Sequence, residues 1–386
     1  MQPGLKNIPL PYETIPSINN KLQNIDWTFK DSFTCGQTHG IHPYPAKFIP
    51  QIPSSLISEL HPKDGTGILD PFCGSGTTLV ESLRNGIPAV GIDLHPLACL
   101  LSKVKVTPLS KGLSSAAKEI IERAHDVDIT PPEIPALDHW FQKDIQHSIA
   151  SIKDCIDREL DKDVRDALCI ALSSIIVRVS NQDSDTRYAA VKKNINAKDV
   201  FDIFYKSVKK VEKAISNTWD PLFPPPQVDI INKNILSVTS KDIKIPISLV
   251  ITSPPYPNKY EYWLYHKYRM YWLGMDPIAV RNSEIGARPL YFKRKPQTAK
   301  DFEDQMSIVF KTLYDIVIPG GHACFQVGNS IIRGEKIDNA QIITRAANKA
   351  GFKDTFSVER EIPPSRKTFN PDHTGAKEEY ILIFQR

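Results

Sequence analysis

Gly67-Ile68-Leu69-Asp70-Pro71-Phe72-Cys73-Gly74-Ser75-Gly76-Thr77-Thr78-Leu79 decides the fold of this 386-residue chain. Gly67 to Asp70 is a short apolar run, Pro71 to Thr78 is rich in turn formers, and Leu79 to Arg84 carries helical spacing. A strand, a turn and a helix therefore follow one another. Asn85-Gly86 closes the helix, Gly86 supplying the left-handed stop. Pro88 to Asp93 reads as a second strand, and Leu97, Leu100, Leu101 and Val104 as the buried stripe of a second helix. Such a β-α-β-α opening predicts an α/β protein built on a parallel sheet.

Outward from that opening the pattern changes twice. Between about Leu109 and Pro226 lie 3.6-residue periodicities over Ile145 to Leu160, Val164 to Val179 and Val200 to Ile215, with no convincing strand, so a mostly helical insertion is expected. The sheet resumes at Ile247 to Ile251, continues at Ala323 to Val327 after a Pro319-Gly320-Gly321 turn, and ends with Phe352 to Ile362 and Tyr380 to Phe384 as an antiparallel pair. Residues up to about Phe33 show Pro and Asn punctuation and little periodicity, and are expected to form an irregular surface arm. Of thirty-one prolines, many cluster, at Pro43 to Pro53, Pro131 to Pro135 and Pro221 to Pro226, and these clusters serve as boundaries. The expected division is 1–108, an arm and a cofactor-binding part; 109–226, the helical insertion; and 227–386, a catalytic part.

Composition narrows the class. Hydrophobic residues at 41% and charged residues at 24%, with mean hydropathy −0.28, are those of an ordinary folded protein. No apolar run approaches the roughly 18 to 20 residues of a bilayer span, and Met1-Gln2-Pro3-Gly4 opens no signal-peptide core, so a cytoplasmic protein without a membrane partner is expected. Cys35, Cys73, Cys99, Cys155, Cys169 and Cys324 are scattered, with no C-x-x-C pair and no histidine at zinc spacing, so reduced thiols and no metal are expected. A net charge of +4 is too mild to demand a polyanionic partner; any nucleic-acid contact must rest on local charge.

The glycine loop, Asp70 to Thr78, lies between a strand and a helix, where backbone N–H groups can meet a ligand; a plain turn is the alternative. Leu79 stands where G-x-G-x-x-G has its third glycine, which argues against a dinucleotide pyrophosphate, and no Lys follows the glycines, which excludes a P-loop. Asp93, nineteen residues after Gly74 at the end of the second strand, is suited to accept both hydroxyls of a ribose, with a helix cap as the alternative. A ribose without a pyrophosphate suggests S-adenosylmethionine.

Ser253-Pro254-Pro255-Tyr256 follows the Ile247 strand and combines a hydroxyl, two residues without an N–H, and an aromatic ring. Carbonyls in such a turn accept hydrogen bonds without a competing local donor, so Ser253 and the Pro254 carbonyl suit an incoming amino group and Tyr256 a flat base. A stiff proline turn with no ligand is the alternative. An aromatic run follows from Tyr260 to Trp272, most of it expected to be packing.

Taken together, Asp70 to Thr78 and Thr252 to Tyr256 resemble the cofactor and catalytic motifs of the S-adenosylmethionine-dependent DNA amino-methyltransferases of restriction-modification systems, and Ser-Pro-Pro-Tyr is similar to the cytosine-N4 version. Adenine-N6 enzymes more often carry Asp or Asn at the Ser253 position. His42-Pro43-Tyr44-Pro45-Ala46-Lys47-Phe48 resembles the family's N-terminal cofactor segment, which implies that Pro45, Ala46, Lys47 and Phe48 contact the methionine end. Leu94 is expected to join Asp93, and Asn234 falls where relatives often have an Asp near the adenine. The resemblance implies a Rossmann-like methyltransferase with a mixed seven-stranded sheet, double-stranded DNA as partner, a companion endonuclease, base flipping, and direct methyl transfer without a covalent enzyme intermediate. Adenine or an RNA base as target, or a non-catalytic nucleic-acid binder, are the competing readings.

For DNA contact, Arg281 to Gln297 holds Arg281, Arg288, Lys293, Arg294 and Lys295 against Glu284 alone, a local +4 beside the catalytic turn. Arg178 and Arg187 frame a dense polar cluster in the insertion and are further candidates. Arg366, Lys367 and the His373 to Gly375 stretch are rim candidates.

Overall fold

The computed structural model describes residues 15–109, 112–185, 187–220, 222–362 and 378–386. Helices α1 (Ile15–Gln23) and α2 (Gln51–Leu60) precede the first strand. Strand β1 (Gly67–Asp70) leads through the glycine loop to α3 (Thr77–Arg84), then β2 (Ala89–Asp93) and α4 (Pro96–Val106). Five helices follow: α5 (Leu113–His125), α6 (Leu137–Trp140), α7 (Lys143–Asp157), α8 (Lys162–Val179) and α9 (Ala197–Ser216). The sheet resumes with β3 (Val228–Asn232) and β4 (Ile247–Thr252), and α10 (Tyr262–Trp272), α11 (Pro277–Ser283) and α12 (Ala299–Ile316) lead to β5 (Val317–Gly328). A small hairpin, β6 (Ser330–Ile332) and β7 (Glu335–Ile337), precedes α13 (Asn339–Ala350), β8 (Lys353–Glu361) and β9 (Glu378–Gln385).

The seven-stranded sheet has the order β3-β2-β1-β4-β5-β9-β8. Pairings among β3, β2, β1, β4 and β5 are parallel, whereas β9 runs antiparallel to both β5 and β8. Every residue of β1 and of β4 is buried, as expected of parallel strands covered on both faces. Alternation divides them: Ile68, Leu249 and Ile251 pack with Leu56 and Ile57 of α2, while Leu69 and Val250 pack with Phe310 and Leu313 of α12. Chain order reverses between β1 and β4, and a crevice opens beyond the carboxyl ends of strands at such a point.

The helices α5 to α9 do not form a detached unit. One apolar cluster runs from Leu79 and Leu101 through Ile149, Leu168 and Phe204 to Trp263 and Val280. Lys103 of α4 also pairs with Asp166 (2.7 Å) and Asp163 (2.9 Å) of α8. Among the described residues, no helix is long and apolar enough to cross a membrane.

Two expectations need correction. The segment before Phe33 is not wholly irregular: Ile15–Gln23 is helical, and Leu22 and Trp27 are buried with Ile381 and Ile383 of β9. The Trp27 indole N–H donates to the Leu22 carbonyl (3.0 Å) and Arg360 Nε donates to the Trp27 carbonyl (2.8 Å), so two anchors hold a segment too short for a periodic signal. The Pro319-Gly320-Gly321 turn instead lies inside β5. There the Gly320 N–H donates to the Arg386 carbonyl, and a Cβ on Gly321 would stand 2.7 Å from the Ser248 carbonyl oxygen, so glycine permits a close strand approach.

Candidate active site at the switch point

The glycine loop is held in shape by its own fold. Gly74 and Gly76 have φ of +47° and +75°, and a Cβ at Gly76 would stand 2.7 Å from Ser102 Oγ on α4. The N–H groups of Cys73, Gly74 and Gly76 donate to the Ile92 carbonyl, Asp93 Oδ2 and the Cys73 carbonyl. Ser102 Oγ donates to the Gly74 carbonyl (2.9 Å), and buried Lys105 Nζ to the Ser75 carbonyl (2.6 Å). The loop is thus set before any ligand arrives.

Asp93 is not the N-cap of α4, a position that His95 takes; its carboxylate instead ties the glycine loop to the start of that segment while remaining at the site. Its Oδ1 accepts from the His95 N–H and its Oδ2 from the Gly74 N–H, both at 2.8 Å, and it still lines the pocket. A carboxylate has about four lone-pair positions, so two remain for a ligand. Burial pushes its pKa up to about 6 against these two bonds.

A direct tie joins the two motifs. Thr252 Oγ1 donates to Asp70 Oδ1 (2.6 Å), and Thr78 Oγ1 donates to the Ile251 carbonyl (3.3 Å). Parallel pairing of β1 with β4 sets this register, so the chain leaving β4 enters the pocket beside the glycine loop. Burial also pushes the pKa of Asp70 up to about 6.

One pocket unites most of the expected residues. Its wall takes in Ala46, Lys47 and Phe48, then Asp70 to Ser75, Thr77, Asp93, Leu94 and Asn234, with Ser253 and Pro255. Pro45, Gly76, Thr78, Pro254 and Tyr256 lie outside the lining; Gly76 and Thr78 act from behind it. Tyr256 is not an open platform. Its ring is buried, its hydroxyl donates to the Gln326 carbonyl (3.1 Å) and lies 3.3 Å from Ser253 Oγ, and Lys259 Nζ sits 5.1 Å from the ring centroid. Asn234 caps a short turn, its Oδ1 accepting from the Leu236 N–H and its Nδ2 donating to the Ser283 carbonyl. Lys47 Nζ donates to the carbonyls of His42 (2.8 Å) and His39 (3.1 Å), and burial lowers its pKa to about 8.

The sequence reading missed Tyr44, His95, Ile235, Tyr262, Val280, Ser283, Glu284 and Ile285, all in the same wall. Tyr44 stood inside a quoted motif, and Tyr262 in the aromatic run. The 280–285 stretch has no motif, and its one signal was a lone acid in a basic segment.

The basic candidates are exposed. Arg288, Lys293, Arg294 and Lys295 continue from the pocket wall at Ile285, with Arg288 stacked 5.6 Å from the Phe292 ring. Arg178 is exposed at the end of α8, and exposed Arg187 lies 3.8 Å from Asp183. Part of the polar cluster between them is structural, since Asp185 pairs with the buried Arg269 guanidinium. Arg366, Lys367 and residues 373–375 lie outside the described residues.

The residues suit S-adenosylmethionine. Leu94 and Ile235 offer apolar walls for a flat base, Asp93 offers acceptors for a ribose, and no phosphate-binding lysine follows the glycines. Fold and site define a class of architecture: a Rossmann-like α/β sheet, with the strand order given above and its antiparallel β9, that carries a pocket at its switch point. The family model described as DNA methylase matches residues 6–104. The Type II methyltransferase M.MvaI of Kocuria varians is 30% identical over 258 residues, covering 59% of this chain and 55% of that protein. M.MjaII of Methanocaldococcus jannaschii is 50% identical over 68 residues, 18% of this chain and 13% of that one. A crystal structure of TrmN from Thermus thermophilus aligns with a TM-score of 0.37 at 8% identity, over 88% of this chain and 49% of that chain. The family match and the methyltransferase relatives support the DNA methylase family, without separating its N4 from its N6 members. This chain spans about half the length of M.MvaI.

Proposed function

We propose that the chain is an S-adenosylmethionine-dependent DNA methyltransferase that modifies the exocyclic N4 amino group of cytosine in double-stranded DNA, as the protective half of a restriction-modification system. One observation carries the reading: the Thr252 to Asp70 bond puts Ser253 and Pro255 in the same pocket wall as the glycine loop and Asp93. The bound cofactor supplies a methyl group on a positively charged sulfur. Asp93 and Asn234 hold its nucleoside, and Lys47, Phe48 and the loop from Asp70 to Thr78 shape the site for its methionine end.

Ser253 Oγ and the Pro254 carbonyl accept the amino hydrogens of the target base. Those bonds localise the nitrogen lone pair, which otherwise delocalises into the ring, and turn it toward the methyl group. Alignment at close range accounts for much of the acceleration, up to about 7 to 11 kcal/mol. No cysteine stands between Ser253 and Tyr256 to form a covalent intermediate with the base. The base must leave the duplex to reach this corner. Stacking on Tyr256 then requires Lys259 to move from the ring. Arg288, Lys293, Arg294 and Lys295, with Arg178 and Arg187, take the phosphates, and residues 109–226 are the candidate target-recognition region.

Incubating the protein with labelled cofactor and duplex DNA, followed by nucleoside analysis, tests the reading. Label in N4-methylcytosine is expected. Label in adenine alone rejects the cytosine assignment, and a duplex that takes up no label rejects double-stranded DNA as the substrate.

A further inference from the structure

Glu284 reaches the pocket from a stretch without a motif, and it has two roles there. Its Oε1 accepts from the Tyr262 N–H (3.0 Å) and its Oε2 from the Trp263 N–H (3.1 Å), the first turn of α10. The residue that precedes this helix, Glu261, makes no capping bond with its side chain, so the cap comes from more than twenty residues downstream. A cap of that kind needs no contact with the pocket, yet Glu284 lines the pocket together with Asp93.

The charges around it are unbalanced. Asp70, Asp93 and Glu284 are three carboxyls in one wall, and among the described residues Lys47 is the one lysine or arginine there, its ammonium engaged by two carbonyls. His95 is pushed down to about 4 by burial and is neutral at pH 7, while burial holds the Tyr44 and Tyr262 phenols far above their usual range. Outside the pocket, Glu261 adds negative charge near Glu284, and Arg281 of α11 stacks 5.5 Å from the Trp263 ring. Burial, reinforced by Glu261 and Asp93, pushes Glu284 up to about 8 against its two backbone bonds. A carboxyl so placed gives up its proton when a cation comes to lie among its neighbours.

We propose that Glu284 is a charge-selecting residue of this pocket, whose carboxylate favours the sulfonium cofactor over the thioether product. The inference rests on the reading of the pocket as an S-adenosylmethionine site. The product, S-adenosylhomocysteine, carries one positive charge fewer and is otherwise the same ligand without its methyl group. Attraction to the carboxylate in a low-dielectric wall is therefore present before methyl transfer and absent after it, which promotes exchange of product for fresh cofactor.

Calorimetry of both ligands near pH 7.5, in two buffers of different ionisation enthalpy, tests this. With the unaltered protein, S-adenosylmethionine should release more protons on binding than S-adenosylhomocysteine. In Glu284→Gln, that difference should vanish and affinity for S-adenosylmethionine should fall about tenfold more than affinity for the product. Equal proton release by the two ligands overturns the proposal, as does an equal loss of affinity for both in the variant. If the variant fails to fold, the proton count on the unaltered protein still stands, and equal release there overturns the proposal. Failure of either ligand to bind the unaltered protein overturns the pocket assignment itself.

Discussion

The two halves of the pocket are built on opposite backbone principles. The β1 side uses glycines at positive φ and ties its N–H groups to its own neighbourhood, within residues 70 to 105. The β4 side uses two prolines that donate nothing, and its support comes from afar. Gly286, at φ +75°, lies so close that a Cβ there would stand 2.8 Å from the Tyr256 carbonyl oxygen, and its carbonyl accepts from the Asn258 N–H. Gln326 of β5 receives the Tyr256 hydroxyl. A loop whose N–H groups are held by its own neighbourhood, with β4 touching it only at Asp70 and Thr78, tolerates change elsewhere better than a corner propped by other elements, which passes their disturbances to the chemistry.

Gly76→Ala should have the largest effect, because it strains the β1 side twice. A left-handed alanine costs about 1 to 2 kcal/mol, and overpacking against Ser102 adds about 1 to 3 kcal/mol. A melting temperature lower by several degrees, with loss of cofactor binding, is expected by calorimetry; an unchanged midpoint shows that the loop is not preset. Glu284 should come next. Its raised pKa means that the folded protein holds a proton the unfolded chain releases, so stability falls as pH rises from the ordinary glutamate range through about 8. Without cofactor, Glu284→Gln should gain on the unaltered protein by on the order of a few kcal/mol between pH 5 and pH 8. Melting curves across that range check it, and a pH-independent difference removes the buried charge from the account.

Asp93→Ala removes the acceptor of two backbone N–H groups and the proposed ribose partner. Cofactor affinity should fall about a hundredfold, or about 2.7 kcal/mol. Ser253→Ala acts on the other side: kcat should fall about ten- to a hundredfold while cofactor affinity is retained. Equal damage to binding and turnover by both variants would erase the distinction between the halves.

The same contrast governs what the sequence discloses. The loop from Asp70 to Thr78 is legible because its shape is encoded within itself, by glycines, hydroxyls and a nearby acid. Asp93 is legible by spacing, whereas its bonds to the Gly74 and His95 N–H groups are not. At the proline corner only the tip could be read. Glu284, Ile285 and Val280 come back to the wall through the packing of α10 and α11, which no local pattern records. Tyr256 reads as a stacking ring for a flat base, and an aromatic residue after two prolines gives no sign of the lysine that lies over it. Trp27 hides for a related reason: with Leu22 it is buried against β9 from a stretch whose composition reads as coil.

The smallest effect belongs to the rim. Lys293 and Arg294 are exposed, beyond both halves of the pocket, so solvent and salt screen them and their contribution is electrostatic rather than chemical. Each phosphate contact releases condensed counterions from duplex DNA, and the logarithm of affinity falls with the logarithm of salt in proportion to the contacts made. Replacing both with alanine should therefore lower the magnitude of the salt slope by about two, weaken binding to any duplex sequence alike, and leave cofactor affinity untouched. A slope that does not move assigns the segment to solvent and shifts the DNA path toward Arg178 and Arg187. A loss confined to one sequence would instead make these side chains readers of bases, which charge beside a proline corner does not by itself provide.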